Sequence, residues 1–315
     1  MSNRQEIREL RIAVLFGGRS AEREVSLSGG KTVLSALRDG GYAPKEIDTA
    51  EPGWWKALEG VDLAFNMQHG SGGEDGVTQG LLDSMGVVGT GSSVLGSAIA
   101  MDKLRSKQLW VATNLPTADF ECIDASTDFA ELLSHWGAAF VKPAREGSSL
   151  GMSRVHSATE CAAAYAMAVR FDSTVIAERF IDGPEYTVAI LGDRALPAIR
   201  IEAAREFYDY DAKYLADTTS YHIPAGLNSL DEQSLQQLAL QAFAVLGCSI
   251  WGRVDVMRDA AGNFLLLEAN TIPGMTDHSL VPMAAKAAGL SMAELVEEIM
   301  WLSWRAAQLR AGEGA

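Results

Sequence analysis

The residues best suited to chemistry in this 315-residue chain lie in the stretch GRVDVMRDAAGNFLLLEANTIPGMT, residues 252–276. Two apolar runs flank Asp259-Ala260-Ala261-Gly262-Asn263, a cluster rich in turn formers, so the stretch reads as a hairpin. Side chains alternate along a strand, which puts Arg253 and Asp255 on one face of the first strand and Glu268 and Asn270 on one face of the second. Pairing Asp255 with Glu268 sets Arg253 opposite Asn270 and leaves Val254, Val256, Leu265, Leu267 and Ala269 on the other face. A slip of one residue would bury the polar set, so this register is the natural one. Two facing carboxylates repel unless a cation lies between them. Their oxygens, with the Asn270 amide, suit Mg²⁺, which completes its octahedron with water and substrate phosphates. The plain alternative is a solvated polar face, and the rest of the chain argues against it.

Such a hairpin needs a frame, and the length predicts two or three domains. The formal net charge of −15 argues against non-specific wrapping of nucleic acid but leaves room for a locally basic site for small anions. Cys122, Cys161 and Cys248 are far apart and in no Cys-x-x-Cys pattern, and read as reduced core residues of a cytosolic protein. The N-terminus lacks an apolar signal core, and no apolar run is long enough to span a bilayer. A cytoplasmic protein without membrane or nucleic-acid partners is expected.

Residues 11–16 form a short apolar run ending at Gly17-Gly18, expected as a buried parallel strand. A helical pattern through Val25, Leu27, Val33, Leu34 and Leu37 closes at Gly40-Gly41. The turn between them, GGRSAERE, does not match Gly-x-Gly-x-x-Gly, so no dinucleotide fingerprint is assigned. Glu22 and Glu24 there suit a helix N-terminus electrostatically. Strands near 45–48 and over 61–67 continue an α/β alternation. The third runs into His69-Gly70-Ser71-Gly72-Gly73-Glu74-Asp75-Gly76, a glycine-rich loop where α/β folds bind ligands, and His69 reads as a site residue. Lys103 and Lys107 share a helix face, as surface charge or as a phosphate contact. Leu115-Pro116 reads as a linker.

Further on, a strand over 138–141 ends at Lys142-Pro143. The following Gly147-Ser148-Ser149-Leu150-Gly151 suits a flap that holds phosphates with N–H groups and hydroxyls. It also satisfies Gly-x-Ser-x-Gly, with Asp255 and His278 in hydrolase order. That elbow needs a strand turning into a helix, and β-type sequence follows here. A strand over 174–181 carries Glu178. Residues 202–227, long, polar and aromatic, suit a lid. Helical patterns over 231–246 and beyond Ser279 complete the chain.

Seven blocks in order, FGGRSAEREVSLSGG, HGSGGEDG, MDKLRSK, VKPAREGSSLGMS, YDYDAKY, WGRVDVM and LLEANTIPGMTDHSLVP, closely resemble the D-alanine–D-alanine ligases of the ATP-grasp superfamily, over about 11–304. The resemblance implies an α/β fold with a three-domain ATP-grasp architecture. An N-terminal parallel α/β substrate domain (1–102) would precede a central ATP-grasp domain (103–184) and a C-terminal catalytic domain (185–315) with its lid over 202–227. It also implies ATP with two Mg²⁺ (or Mn²⁺), D-alanine as substrate, and a homodimer.

On the same resemblance, Lys103 and Lys142 bind ATP phosphates beneath the Ser148 loop. Glu178, Arg179, Phe180 and Ile181 form the adenine hinge, Glu185 meets the ribose, and Lys213 reaches the phosphates as the lid closes. Asp255, Glu268 and Asn270 hold the two metal ions. Glu22 holds the ammonium of the first D-alanine with His69 nearby, and Ser279 and Leu280 receive the second. Tyr214 and Ser148 tie the lid to Glu22. Arg253 and the Gly274 N–H stabilise a tetrahedral oxyanion. The implied reaction is ligation of two D-alanines through an acyl phosphate, for peptidoglycan precursors. Ser71, Arg179 and His222-Ile223 depart from the family pattern without removing a group that the mechanism needs. Two alternatives share the motifs. One is a D-alanine–D-lactate ligase, which the Tyr214 hydroxyl argues against. The other is a non-catalytic nucleotide-binding regulator, which would not need Arg253, Asp255, Glu268 and Asn270 intact.

Overall fold

A computed structural model describes residues 4–148, 150–202 and 219–313. Three sheets carry the architecture. The first is built from β1 (Ile12–Phe16), α1 (Arg23–Asp39), β2 (Lys45–Asp48), β3 (Leu63–Asn66), α2 (Val77–Ser84) and β4 (Val88–Gly89). Its strands run parallel in the order β2-β1-β3-β4. The apolar runs of β1 and β3 are buried along nearly their whole length, as central parallel strands require. Glu22 begins α1 just past β1, and His69 lies just past β3, so both fall at the C-terminal edge where such sheets bind ligands.

Next come α3 (Val94–Met101), α4 (Lys103–Ala112), β5 (Phe120–Ile123), α5 (Phe129–Trp136), β6 (Ala139–Pro143), β7 (Ser153–Val155), α6 (Ala158–Ala168) and β8 (Val175–Arg179). The strands form an antiparallel sheet, β5-β8-β6-β7. Asp128 and Ser157 accept backbone N–H groups at the starts of α5 and α6, which fixes where these helices begin. Leu132, Leu133, Cys161 and Ala164 then pack on Val141, Val155 and Ala177. The Ser148 loop joins β6 to β7 in a hairpin, so the strand-to-helix geometry of a hydrolase elbow is absent there.

The third sheet uses β9 (Glu185–Leu191), β10 (Arg194–Ala195), β11 (Ile199–Glu202), β12 (Ser220–His222), β13 (Trp251–Arg258) and β14 (Phe264–Asn270), in the order β12-β11-β9-β13-β14 with β10 on β9. One face packs Val188, Val254, Val256 and Leu266 on Leu235, Ala239 and Phe243 of α7 (Ser229–Val245). The other joins the first sheet, because α8 (Leu280–Ala287) and α9 (Met292–Glu313) share one core with α1, β1 and β3. Phe65 of β3 meets Trp251 of β13 with ring centres 6.0 Å apart. No helix among the described residues is long and apolar enough to cross a membrane.

The hairpin of β13 and β14 has the expected register at its polar end, Arg253 opposite Asn270 and Asp255 opposite Glu268. A β-bulge follows, and Val256 then faces Leu266 rather than Leu267. Leu266 therefore joins Val254 and Val256 in the core, whereas Leu265 packs with Ala118, Ile181, Met257 and Leu267 in a separate cluster. The apolar face read from simple alternation holds for Val254, Val256 and Ala269 and fails for Leu265 and Leu267. An extra residue on one strand re-aims the side chains beside it, and here consecutive Leu267 and Glu268 line one cavity.

Three other expectations change. Cys161 and Cys248 are buried, but Cys122 is exposed on the edge strand β5. The Leu115-Pro116 linker is tied to β14, since Leu266 N donates to Pro116 O at 2.9 Å. Ser220–His222 pairs with β11 as a strand instead of belonging to a loop. Residues 203–218, with Lys213 and Tyr214, lie outside the described residues.

Candidate active site

A cavity of about 370 Å³ opens between the second and third sheets, within the size range of small-ligand pockets. Lys142, Glu178, Arg179, Phe180 and Ile181 line it from one side, and Glu185, Asp255, Met257, Leu267 and Glu268 from the other. A smaller cavity, about 40 Å³, is lined by Glu22, His69, Glu74, Arg253, Asn270 and Gly274. Lys103, Gly147, Ser148 and Glu268 line both. Any group passed from the larger cavity to the smaller crosses at these residues.

The acidic hairpin is neutralised by two cations of the chain itself. Asp255 is buried and accepts from Thr187 Oγ1 at 2.6 Å, Arg253 Nε at 3.0 Å and Asn270 Nδ2 at 3.1 Å. Glu268 Oε2 lies 3.3 Å from Lys103 Nζ, which also donates to Glu146 O at 2.7 Å. The donors fit Mg²⁺: hard oxygens from two carboxylates and one amide, with the adjoining cavity left for phosphate and water. Among the described residues no group of three or more His, Cys, Asp and Glu side chains could hold a metal ion.

Glu22 is the first residue of the α1 turn, yet its side chain does not cap the helix. Its carboxylate accepts instead from Ser148 Oγ across the small cavity. Gly70 and Gly147 make room for it: a Cβ on either would fall within 2.9 or 2.7 Å of Glu22 Oε2. Ser148 itself takes a φ of +50°, a conformation costly for a non-glycine residue and one that places its hydroxyl toward Glu22. His69 is buried with Nδ1 3.0 Å from Glu74 Oε1, and its Nε2 has no hydrogen-bond partner among the described residues.

Ser279 and Leu280 do not line either cavity. The Ser279 hydroxyl accepts from Thr276 N at 3.0 Å, and Leu280 is buried in the core shared with the first sheet. Beside the larger cavity, Arg179 pairs with Asp119 at 2.9 Å, and the N–H groups of Arg179 and Phe180 donate to the carbonyls of Asp119 and Ala138. Phe140 and Phe180 add an aromatic wall, their ring centres 5.7 Å apart.

Lys107 is neither surface charge nor a cavity residue. It is fully buried, 2.8 Å from Glu178 Oε1, while Lys142 binds the other oxygen of the same carboxylate. Burial, with Lys142 nearby, pushes the Lys107 ammonium down to about 8 against the pull of Glu178. Burial alone would raise Glu178, but the two ammonium groups outweigh it and hold the carboxyl below its usual range. The signal was present in the sequence: Lys107 lies three residues from Leu104 and three from Trp110, on one stripe of α4 with both of these buried residues. Thr187, Met257, Glu74 and the Arg145–Asp172 pair were likewise not foreseen.

Arg145 and Asp172 anchor the base of the Ser148 loop. Asp172 accepts from Arg145 N and Nε, both at 3.0 Å, and from Thr174 N at 3.0 Å. Burial works to raise Asp172, but Arg145 and the N–H donors outweigh it and the net shift is downward. A folded value below the unfolded one gives stability that is complete above about pH 4 and is lost as pH falls through the folded value. Arg145 is half exposed, which discounts the pair to roughly 1 kcal/mol. Asp172→Asn should lose about that much at neutral pH and show a shallower acid limb in denaturant titrations. Parallel acid limbs in the two proteins would assign the pH dependence elsewhere.

Comparison with known proteins accounts for this arrangement. A family described as "D-ala D-ala ligase C-terminus" matches residues 109–301. A D-alanine–D-alanine ligase of Alkalilimnicola ehrlichii is 53% identical over 301 residues, covering 95% of this chain and 96% of the relative. The crystal structure of D-alanine–D-alanine ligase from Bacillus anthracis superposes with a TM-score of 0.87 at 33% identity, covering 96% of this chain and 99% of that one. The same enzyme complexed with ATP gives 0.84 at 31% identity, with coverage of 96% and 99%. The fold is thus the mixed α/β architecture of those ligases. With two cavities meeting at Lys103, Ser148 and Glu268, and with relatives this similar along nearly its whole length, the chain belongs to the D-alanine–D-alanine ligase family.

Proposed function

We propose that this protein joins two D-alanine molecules into D-alanyl-D-alanine in the cytoplasm, converting ATP to ADP and phosphate and supplying peptidoglycan precursors. The observation that carries the reading is the junction of the two cavities at Lys103, Gly147, Ser148 and Glu268. Adenine and ribose would lie in the larger cavity between Phe180, Ile181 and Glu185, with the terminal phosphate at the junction. Lys142 and Lys103 supply positive charge along the phosphates, and the Ser148 loop covers them. Asp255, Glu268 and Asn270 would hold two Mg²⁺ or Mn²⁺ ions, which neutralise phosphate charge during transfer.

Glu22, with one oxygen held by Ser148, binds the ammonium of the first D-alanine and turns its carboxylate toward the junction. That carboxylate attacks the γ-phosphorus, ADP leaves, and the amine of the second D-alanine then attacks the carbonyl of the acyl phosphate. Arg253 and Gly274 both line the small cavity, and the guanidinium and the Gly274 N–H would serve as donors to the oxyanion. Lys213 and Tyr214 would complete the cover and keep water from the acyl phosphate. We assign residues 1–102, 103–184 and 185–315 to a substrate domain, a central ATP-grasp domain and a catalytic domain. We further propose that the protein is a homodimer, as the family resemblance implies.

Incubation with ATP, Mg²⁺, D-alanine and D-lactate, followed by weighing of products, tests the activity. The dipeptide is expected in large excess, with one ADP per dipeptide. A predominance of D-alanyl-D-lactate, or nucleotide binding without turnover, would overturn this assignment.

A further inference from the structure

Resting on the nucleotide reading above, we infer that Lys107 is a positioning residue that locks the two walls of the nucleotide cleft together and releases Lys142 for phosphate. Its ammonium meets three separate parts of the chain. Glu178 Oε1, on β8, lies at 2.8 Å, Thr117 Oγ1 at 2.5 Å, and Leu266 O, on β14, at 3.4 Å. Thr117 Oγ1 in turn donates to Leu266 O at 2.7 Å. One cation therefore spans the second and third sheets, at the residue just before the Leu267-Glu268 bulge that faces the cavity. Lys107 has no exposed surface and lines neither cavity, so it cannot touch substrate.

Lys142, in contrast, lines the cavity while bound to the second oxygen of Glu178. A phosphate in the cavity competes for that ammonium with the carboxylate, which is almost wholly buried. Drawing the ammonium away from a buried carboxylate that has no other cation is unfavourable, because little replaces the lost charge. Lys107 removes this obstacle: Glu178 keeps one ammonium whichever way Lys142 points. Without Lys107, Glu178 would hold Lys142 back from the nucleotide.

The test compares wild type and Lys107→Met by steady-state kinetics and by calorimetry with ATP and Mg²⁺ and with adenosine, which carries no phosphate. Lys107→Met should raise KM and Kd for ATP about tenfold or more, the scale of leaving one buried charge to capture the remaining partner. KM for D-alanine should stay within about twofold, since Lys107 does not contact the small cavity. Adenosine affinity should fall far less than ATP affinity, because adenosine gives Lys142 no phosphate to reach. A purely structural lysine would weaken both ligands alike. ATP affinity unchanged in Lys107→Met, or adenosine weakened as much as ATP, would overturn the proposal. Should Lys107→Met not fold, Thr117→Val decides: it removes the hydroxyl shared by Lys107 and Leu266 and should raise KM for ATP about threefold, the worth of one hydrogen bond. An unchanged KM would count against the lock. Failure of wild type to bind ATP is a separate result, and it would remove the nucleotide reading itself.

Discussion

Asp255→Asn and Glu268→Gln are each expected to cut dipeptide synthesis about a thousandfold or more while leaving the protein folded. The two carboxylates face each other across β13 and β14, where repulsion has no structural benefit of its own. Metal neutralisation of transferring phosphate is worth several kcal/mol, and about 1.4 kcal/mol is one decade of rate. The variants should differ in stability. Asp255 accepts from Thr187, Arg253 and Asn270, so its amide leaves donors crowded together and lowers the melting temperature. Glu268 has Lys103 beside it and the larger cavity in front, so Glu268→Gln relieves a repulsion at little cost. Circular dichroism, thermal melts and rates over a Mg²⁺ series check both statements. Wild-type turnover by either variant at ordinary Mg²⁺ would remove the metal assignment.

Arg253→Met is expected to lower kcat about a hundredfold to a thousandfold, the range for loss of one oxyanion donor, with KM for ATP changed far less. Arg253 lines the small cavity but not the larger one, which is why the effect should fall on the chemical step. It also bonds Asp255 through Nε and Nη2, at 3.0 and 3.1 Å, so the variant leaves the carboxylate pair with less compensation. A lowered Mg²⁺ requirement beside the kcat loss would report that second contact, because less compensated carboxylates attract the cation more strongly. A variant with wild-type kcat would assign the oxyanion to other donors.

The hairpin was legible because alternation and a turn cluster leave few registers that keep Asp255 and Glu268 out of the core. Its bulge was not, since one extra residue changes neither composition nor the lengths of the apolar runs. That single insertion moved Leu265 and Leu267 away from the expected face and turned Leu267 toward the cleft. His69 could be placed beside the site because it follows a parallel strand ending in a glycine-rich turn, whereas Glu22 by itself read only as a helix N-terminus and was placed there through the family resemblance. The bond from Ser148 to Glu22 joins residues 126 positions apart and has no local signature. Lys107 was misread because a lysine is normally solvated; its fully buried place depends on Glu178, which another strand supplies. Cys122 was misread for the reverse reason, an apolar-type residue on an edge strand that leaves it exposed.

The central claim is that the first D-alanine carboxylate attacks ATP and that an acyl phosphate links the two cavities. D-Alanine labelled with oxygen-18 in both carboxylate positions tests it directly, by mass spectrometry of the phosphate and dipeptide released. The account predicts one labelled oxygen in each phosphate and one dipeptide per phosphate, because the attacking oxygen leaves with the phosphoryl group. Unlabelled phosphate formed alongside dipeptide would mean that water, not the carboxylate, receives the phosphoryl group, and would contradict the account.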